Sequence, residues 1–404
     1  MIKLASNTEC TGCSSCYNCC PRSAISMIED SEGFLLPQID TDLCIECGLC
    51  EKRCPVLHPL NTDNHGQKAY AVINNLDRQK SSSGGAFSLF ARYVLKYGGV
   101  VFGVTIDENL QVFHKKIDKV EELENLRGSK YVQSVIGRVY HDVKQELYGG
   151  KKVLFCGTPC QVAGLYAFLG NRHEEKLITL DFVCHGVPNQ CVFDAYLKKI
   201  KKSKRLLVQG NIVGFRFRKL DCWDYRPAVK FSKSSWQMLI QEDNVYMSAF
   251  FRGLTYRECC FRCKYANLNR VGDFTIADFW GIGRHGRTFK KNVASGVSLV
   301  LDNRDKLPSF ISEFKKYAYI EERDIFEAVE ENGSLKCPVK RSEKRNSSVK
   351  DMLDENMSLY DYAIKYNLMK KENIIYYIST YLKNLIYTLG LYNVYKTISY
   401  KFGK

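Results

Sequence analysis

Between Ala69 and Asp302, short apolar runs bounded by glycine and polar residues alternate with stretches of helical periodicity. "AYAVINN", starting at Ala69, reads as a strand. A helix should follow the serines and glycines of 81–85, with Phe87, Phe90 and Val94 on one face. Gly98 and Gly99 end it, and "VVFGVTI" and "LQVFHKKI" pair as a hairpin. "KKVLFC" (151–156) and "LITLDFV" (177–183) are buried-type strands, each leading through a loop into a helix. Further strands are expected at 213–219, 226–231, 272–278 and 296–302. This alternation predicts an α+β or mixed α/β fold. No apolar stretch is long enough to span a membrane as a helix.

The ends of the chain follow other patterns. "AISMIEDSEGFLLPQI" (24–39) reads as strand, turn, strand, and it lies between two cysteine runs. Cys10, Cys13, Cys16 and Cys20 precede Pro21; Cys44, Cys47, Cys50 and Cys54 precede Pro55. Each run is C-x2-C-x2-C-x3-C-P, the spacing of bacterial two-cluster ferredoxins. Three thiolates on a tight loop hold three irons of one cubane, and the fourth cysteine belongs to the other cluster. The pattern pairs Cys10, Cys13, Cys16 and Cys54 around one 4Fe-4S cluster and Cys44, Cys47, Cys50 and Cys20 around a second. Cys19 is left over. A zinc site would need two C-x2-C pairs and would not use the third cysteine or the C-x3-C-P ending. The first residues lack a secretory pattern, so a reducing, cytoplasmic setting is expected.

Residues 1–60 thus form a dicluster module, and "HPLNTDNHGQK" is a polar linker. Residues 69–340 form the larger domain. A charged, serine-containing break at 341–350 precedes a helical, amphipathic extension over 351–404. In that tail Tyr377, Tyr381, Leu385, Tyr392 and Tyr395 recur at helical intervals beside Lys383, Lys396 and Lys401. Such a helix suits either packing on a protein surface or peripheral contact with an anionic membrane.

The chain has 404 residues, 45% hydrophobic and 12% aromatic, with a formal net charge of +15. The basic residues are dispersed and no nucleic-acid motif is present. An acidic ferredoxin or another redox protein, or a small anionic organic substrate, is the expected partner; a generic basic surface is the plainer alternative.

Gly157-Thr158-Pro159-Cys160-Gln161 follows an apolar strand, with Pro159 suited to the first helical position and Cys160 to the first turn. Cys184-His185-Gly186 repeats the arrangement after the next strand. Both cysteines therefore end at one sheet edge, where open α/β folds bind ligands. Cys260 and Cys263 add a C-x2-C pair, with Cys259 competing for the outer position. These four soft donors suit a third cubane, and ordinary buried cysteines remain the other reading. Cys156 is expected in the core. His185 is either a proton donor or a hydrogen-bonded loop histidine. "SSSGGAF" (81–87) and "RGSKYVQS" (127–134) suit a phosphate, or, for the serines, a helix cap.

"SSSGGAFSLFARYVL", "GSKYVQS", "VLFCGTPCQVAGL", "DFVCHGVP" and "VGDFTIADFWGI" together resemble the family of the coenzyme F-420 hydrogenase/dehydrogenase beta subunit. The resemblance implies FAD and a 4Fe-4S cluster in the larger domain. It places Ser83, Gly84, Gly85, Ala86 and Phe87 along the flavin, with Gly128, Ser129, Lys130 and Tyr131 near its phosphates or ring. Gly157, Thr158 and Gln161 belong to the same site. Cys160, Cys184, Cys260 and Cys263 become ligands of the core cluster. Asp278 joins Lys130 and His185 as a candidate catalytic residue. It further implies a flavin-dependent oxidoreductase passing electrons from a one-electron donor to an organic acceptor, such as a surface-polysaccharide intermediate. A non-catalytic electron-transfer subunit and a reductase of the deazaflavin coenzyme F-420 are the alternatives.

Overall fold

The computed structural model describes residues 2–369 except 61, 63, 65, 171–174, 203–209, 221, 222, 224, 234, 240–243 and 285. The helical expectation for residues 370–404, including any membrane contact, lies outside the described residues. Among the described residues no helix is long and apolar enough to cross a membrane.

The strands in chain order are β1 (Ile25–Glu29), β2 (Leu35–Ile39), β3 (Lys68–Asn74), β4 (Val100–Ile106), β5 (Val112–Ile117), β6 (Val153–Gly157) and β7 (Leu177–Phe182). They continue with β8 (Ile212–Arg216), β9 (Ala228–Phe231), β10 (Trp236–Met238), β11 (Phe274–Asp278), β12 (Ser298–Asp302) and β13 (Ala318–Arg323). β1 and β2 pair antiparallel between the cysteine runs. An eight-stranded sheet runs β13-β3-β12-β11-β7-β6-β4-β5. Its middle strands β4, β6, β7 and β11 are mutually parallel, and the flanking pairs are antiparallel. β10-β9-β8 form a separate small sheet.

Helices cover both faces of the large sheet, so its central strands read as unbroken apolar runs. Ala86–Lys96 and Pro308–Phe314 pack on one face through Phe90, Phe310 and Phe314. Val139–Tyr148 and Pro159–Leu169 pack on the other, burying Tyr140, Phe155 and Val162. The small sheet joins helices Gln190–Lys201 and Val245–Phe251 in a second, aromatic-rich core. Arg345–Leu353 and Leu359–Lys365 complete that core.

The expected break at 341–350 is therefore corrected: most of it is helix. Its polar residues have tertiary partners. Buried Arg345 donates to the Tyr256 carbonyl and to the Glu32 carboxylate of the N-terminal module. Ser348 bonds the Tyr362 hydroxyl. Local composition cannot reveal such partners.

The module is docked on the larger domain by directional bonds. Arg257 donates to the carbonyls of Cys10 and Leu35. Gln133 donates to Thr11, Asn18 to Gly137, and Arg53 to Ala167. Glycines allow close approach there: a Cβ on Gly164 would stand 2.9 Å from Cys13 Cβ, and one on Gly33 2.7 Å from Cys191 Cβ.

Candidate functional site

Parallel order brings the carboxyl ends of β6, β7 and β11 to one edge, and a cleft of about 260 Å³ opens there. Ser83, Gly85, Ala86 and Phe87 line it, as do Gly128, Ser129, Lys130 and Tyr131. Thr158, Gln161, His185 and Asp278 line it too. Gly84 and Gly157 support the wall from behind. A Cβ on Gly84 would lie 2.2 Å from the Val72 carbonyl and 2.3 Å from the Ser298 amide, so only glycine lets this loop press onto β3 and β12.

The serines do not cap the helix that follows: Gly85 precedes it, without a side-chain cap bond. They brace the loop instead. Ser83 donates to the Val297 carbonyl, Ser81 to Asp77, and Ser82 accepts from the Ser129 amide. The last bond joins the two glycine-containing loops. Buried Asp77 joins them again by pairing with Arg92 and Arg127. Burial pushes the Asp77 carboxyl up, but the two guanidinium groups prevail and hold it below the usual range. No motif in the sequence marks Asp77.

Lys130 is half-buried, with its ammonium turned inward to donate to the carbonyls of Leu126 and Arg127 at 3.0 and 2.8 Å. Burial brings its pKa down to about 7, opposed by nearby Cys156 and Glu124. A desolvated cation held mainly by carbonyl oxygens favours an anion in the cleft. His185 bonds Ser334 through Nδ1, and burial lowers its pKa, which keeps the ring neutral near pH 7. Asp278 accepts from buried Arg218 at 2.7 Å and from Trp223 Nε1 at 2.6 Å. Arg218 also lies over the Tyr225 ring, and Trp223 stacks on Trp280. Of this aromatic far wall only Trp280 belongs to a motif legible in the sequence, because the other parts come from separate segments.

Thr158 caps the helix Pro159–Leu169 in a reciprocal box with Gln161, which holds Cys160 in the first turn. Thr158 Oγ1 lies 3.1 Å from Cys160 Sγ. Gln161 also donates to Ser134, which bonds buried His114. Burial takes His114 down to about 4, so it is neutral. Below Cys263, buried Arg270 pairs with buried Asp181 on β7 and donates to the carbonyl of Tyr265.

The cysteines gather in three neighbourhoods. Cys13 and Cys16 feel Cys10 and Cys54. Cys20, Cys44, Cys47 and Cys50 line one small pocket. Cys184 feels Cys160 and Cys263, and Cys160 feels Cys263 and Cys259. Cys260 interacts with Cys259 and packs against the aromatic core. Burial pushes Cys13 up to about 12 and raises Cys16, Cys160 and Cys184 further. Such thiols become thiolates when a cation replaces the proton, and that donor chemistry fits iron. Among the described residues, no three or more Cys, His, Asp or Glu converge on a single-ion site. A cubane instead takes one thiolate per iron around a wider body. Tyr140 and Tyr265 lie between the first and third neighbourhoods and interact with cysteines of both. The Tyr140 hydroxyl is 2.9 Å from the Cys13 carbonyl and 2.7 Å from that of Gln161, donating to one at a time.

Residues 9–57 match the 4Fe-4S dicluster domain, and residues 150–328 match the C terminus of the coenzyme F420 hydrogenase/dehydrogenase beta subunit. The two stretches span 49 and 179 of the 404 residues. One subunit of the F(420)H(2) dehydrogenase of Methanosarcina mazei is 21% identical over 236 residues. That alignment covers 56% of this chain and 66% of the relative, just under two thirds of its length. The solved F420-reducing [NiFe] hydrogenase complex from Methanosarcina barkeri, studied by xenon derivatization, contains a similar chain. The match has 13% identity and a TM-score of 0.42, covering 74% of this chain and 93% of that one; it is too weak to argue from. The chain is thus similar to these beta subunits over its larger domain and to 4Fe-4S dicluster domains at its N-terminal end.

Proposed function

We propose that the chain is an electron-transfer subunit of a hydrogenase or dehydrogenase complex, carrying electrons between a one-electron protein partner and an organic acceptor at a flavin in the cleft. One observation carries this reading: the cysteine neighbourhoods continue from the module to the cleft. Cys13 lies against Gly164 on the helix that carries Cys160, and Cys184 lines the cleft itself. The family matches at both ends of that line support it.

Bound clusters would supply single-electron storage, and bound FAD would exchange single electrons for a hydride. The chain's own residues would do the rest. Cys10, Cys13, Cys16 and Cys54 would hold one cluster, and Cys20, Cys44, Cys47 and Cys50 the second. A third would take Cys160, Cys184, Cys263 and one thiol of the Cys259–Cys260 pair. The braced loops 81–87 and 127–131 would seat the flavin, with Lys130 against its negative charge. The paired Asp278 would orient the far wall through Arg218 and Trp223, a positioning role in place of the expected catalytic one. Neutral His185 would donate a hydrogen bond to an acceptor in the cleft, in place of the expected proton. The coenzyme F-420 acceptor enters by analogy with the name of the curated relative.

The test uses the full chain prepared without oxygen. At four irons per cubane, wild type should hold about twelve irons, and Cys160→Ser/Cys184→Ser about eight. Wild type should also release FAD on denaturation and pass electrons from reduced methyl viologen to that FAD, while the double variant keeps its flavin in the oxidised form. Equal iron in the two proteins would remove the core cluster. Absence of FAD from an iron-loaded protein would remove the flavin.

A further inference from the structure

The iron–sulfur module has one covered end and one open end, and its charge opposes that of the rest of the chain. Residues 1–60 hold four Lys and Arg against eight Asp and Glu. That balance of −4 sits in a chain of +15, so residues 61–404 carry +19. The end with Cys10 and Cys13 is bonded to the larger domain through Arg257 and Tyr140. Glu32 is engaged by Arg345 at the same junction.

The other end faces solvent. Cys20, Cys44, Cys47 and Cys50 surround a pocket that Ile45 also lines. Ile45 is 60% exposed and Leu43 47% exposed, and Cys47, two residues further on, is itself exposed. Asp40, Asp42 and Glu46 are exposed around them. Residues 40–51 contain no Lys or Arg. A single exposed leucine needs no explanation. Two large exposed apolar side chains on an acidic segment, beside a pocket of cluster ligands whose lining also includes one exposed cation, Arg22, have the make-up of a transient contact: an apolar centre and a charged rim.

We propose that this tip, Leu43 and Ile45 within the rim of Asp40, Asp42 and Glu46, is the docking surface for a basic one-electron carrier protein. The proposal rests on the iron–sulfur reading above. It replaces the acidic ferredoxin expected from net charge, because the rim would repel such a carrier where electrons cross. One electron passes between the cluster of Cys20, Cys44, Cys47 and Cys50 and the carrier's own one-electron centre; what one loses the other gains. No bond or proton moves. The distance to be crossed is short here because Cys47 reaches solvent. Elsewhere the excess of +19 repels a basic carrier, which confines it to the tip.

Iron-loaded, full-length protein is titrated at low ionic strength against an immobilised basic c-type cytochrome and, separately, an acidic ferredoxin. The cytochrome should bind and the ferredoxin should not. Binding of the cytochrome should weaken at least about tenfold in roughly 0.3 M salt, as screened rim charges require. Asp42→Lys/Glu46→Lys should abolish it. Leu43→Ser/Ile45→Ser should weaken it at least about tenfold with iron content unchanged, a loss on the scale of one apolar side chain withdrawn from water. Tighter binding of the ferredoxin, or equal cytochrome binding by wild type and the charge-reversed variant, overturns the docking surface. Iron is measured on the same samples. A wild type without iron fails the iron–sulfur reading itself; a loaded wild type that ignores the cytochrome fails the docking surface alone.

Discussion

Two neighbourhoods of thiols lie on either side of Gly164, and they are supported in opposite ways. The set of Cys10, Cys13, Cys16 and Cys54 hangs on short loops with little secondary structure: helix Ser15–Cys19 has five residues and Leu49–Lys52 four. The set of Cys160, Cys184 and Cys263 hangs on the ends of long-range structure. Cys160 needs the box of Thr158 and Gln161, Cys184 needs β7, and Cys263 needs the Asp181–Arg270 pair beneath it. In the first set, metal binding would be one event with local folding. In the second, the sheet places the thiols. The module should therefore fail when its metal is removed, and the core set when a remote support is removed.

The largest effect should come from breaking that remote support. Asp181→Asn leaves Arg270, 1% exposed, without its buried counter-charge. The expected loss is about 3–5 kcal/mol in urea unfolding, the usual cost of orphaning a buried charge. Iron should fall by about four per chain, with the module's share retained, at four irons per cubane. Retention of all the iron would show that the core set does not depend on the sheet, and the contrast would collapse.

Gly164→Val tests the seam between the two sets. Its Cβ would meet Cys13 Cβ at 2.9 Å and the Tyr140 hydroxyl at 2.8 Å. Overpacking of this kind costs about 1–3 kcal/mol. Iron should stay at the wild-type level while electron delivery from the module to the cleft slows. A variant of wild-type stability and rate would place the module's route to the cleft elsewhere.

The smallest effect sharpens the contrast from the cleft side. Lys130 titrates in the folded protein near pH 7, below its ordinary value, because burial disfavours the charge. Between pH 7 and about 10 the unfolded chain holds a proton that the folded chain has released. Stability from this group therefore rises with pH across that window. Lys130→Met should remove that rise, seen as a melting temperature less responsive to pH in the flavin-free protein. It should also weaken FAD retention. If wild type and variant share one pH profile and one flavin content, Lys130 is not the group facing the anion.

Much of this molecule can be read from its residues in order. The cysteine runs are legible because cubane ligation is a matter of intervals of three and four residues, and no distant contact is needed to read them. The central strands are legible because β6, β7 and β12 are mostly buried and read as apolar runs. So is the shared edge of Cys160 and Cys184, which follows from two successive strand–loop–helix units.

Other features exist only after folding. β13, "AYIEER", is polar because it is an edge strand held by β3, and its run of charged residues gives no strand signal. The helix Arg345–Leu353 reads as a linker because its charges are satisfied by Glu32 and Tyr256, far away in the chain. The serines of 81–83 read as caps, and they become braces because Val297 and Ser129 come to them from other segments. The far wall of the cleft joins Arg218, Trp223 and Tyr225 to Asp278 across some fifty residues or more. Spacing along the chain specifies ligands that lie on one loop. Partners for a buried charge or hydroxyl are specified by three-dimensional packing, which no local pattern carries.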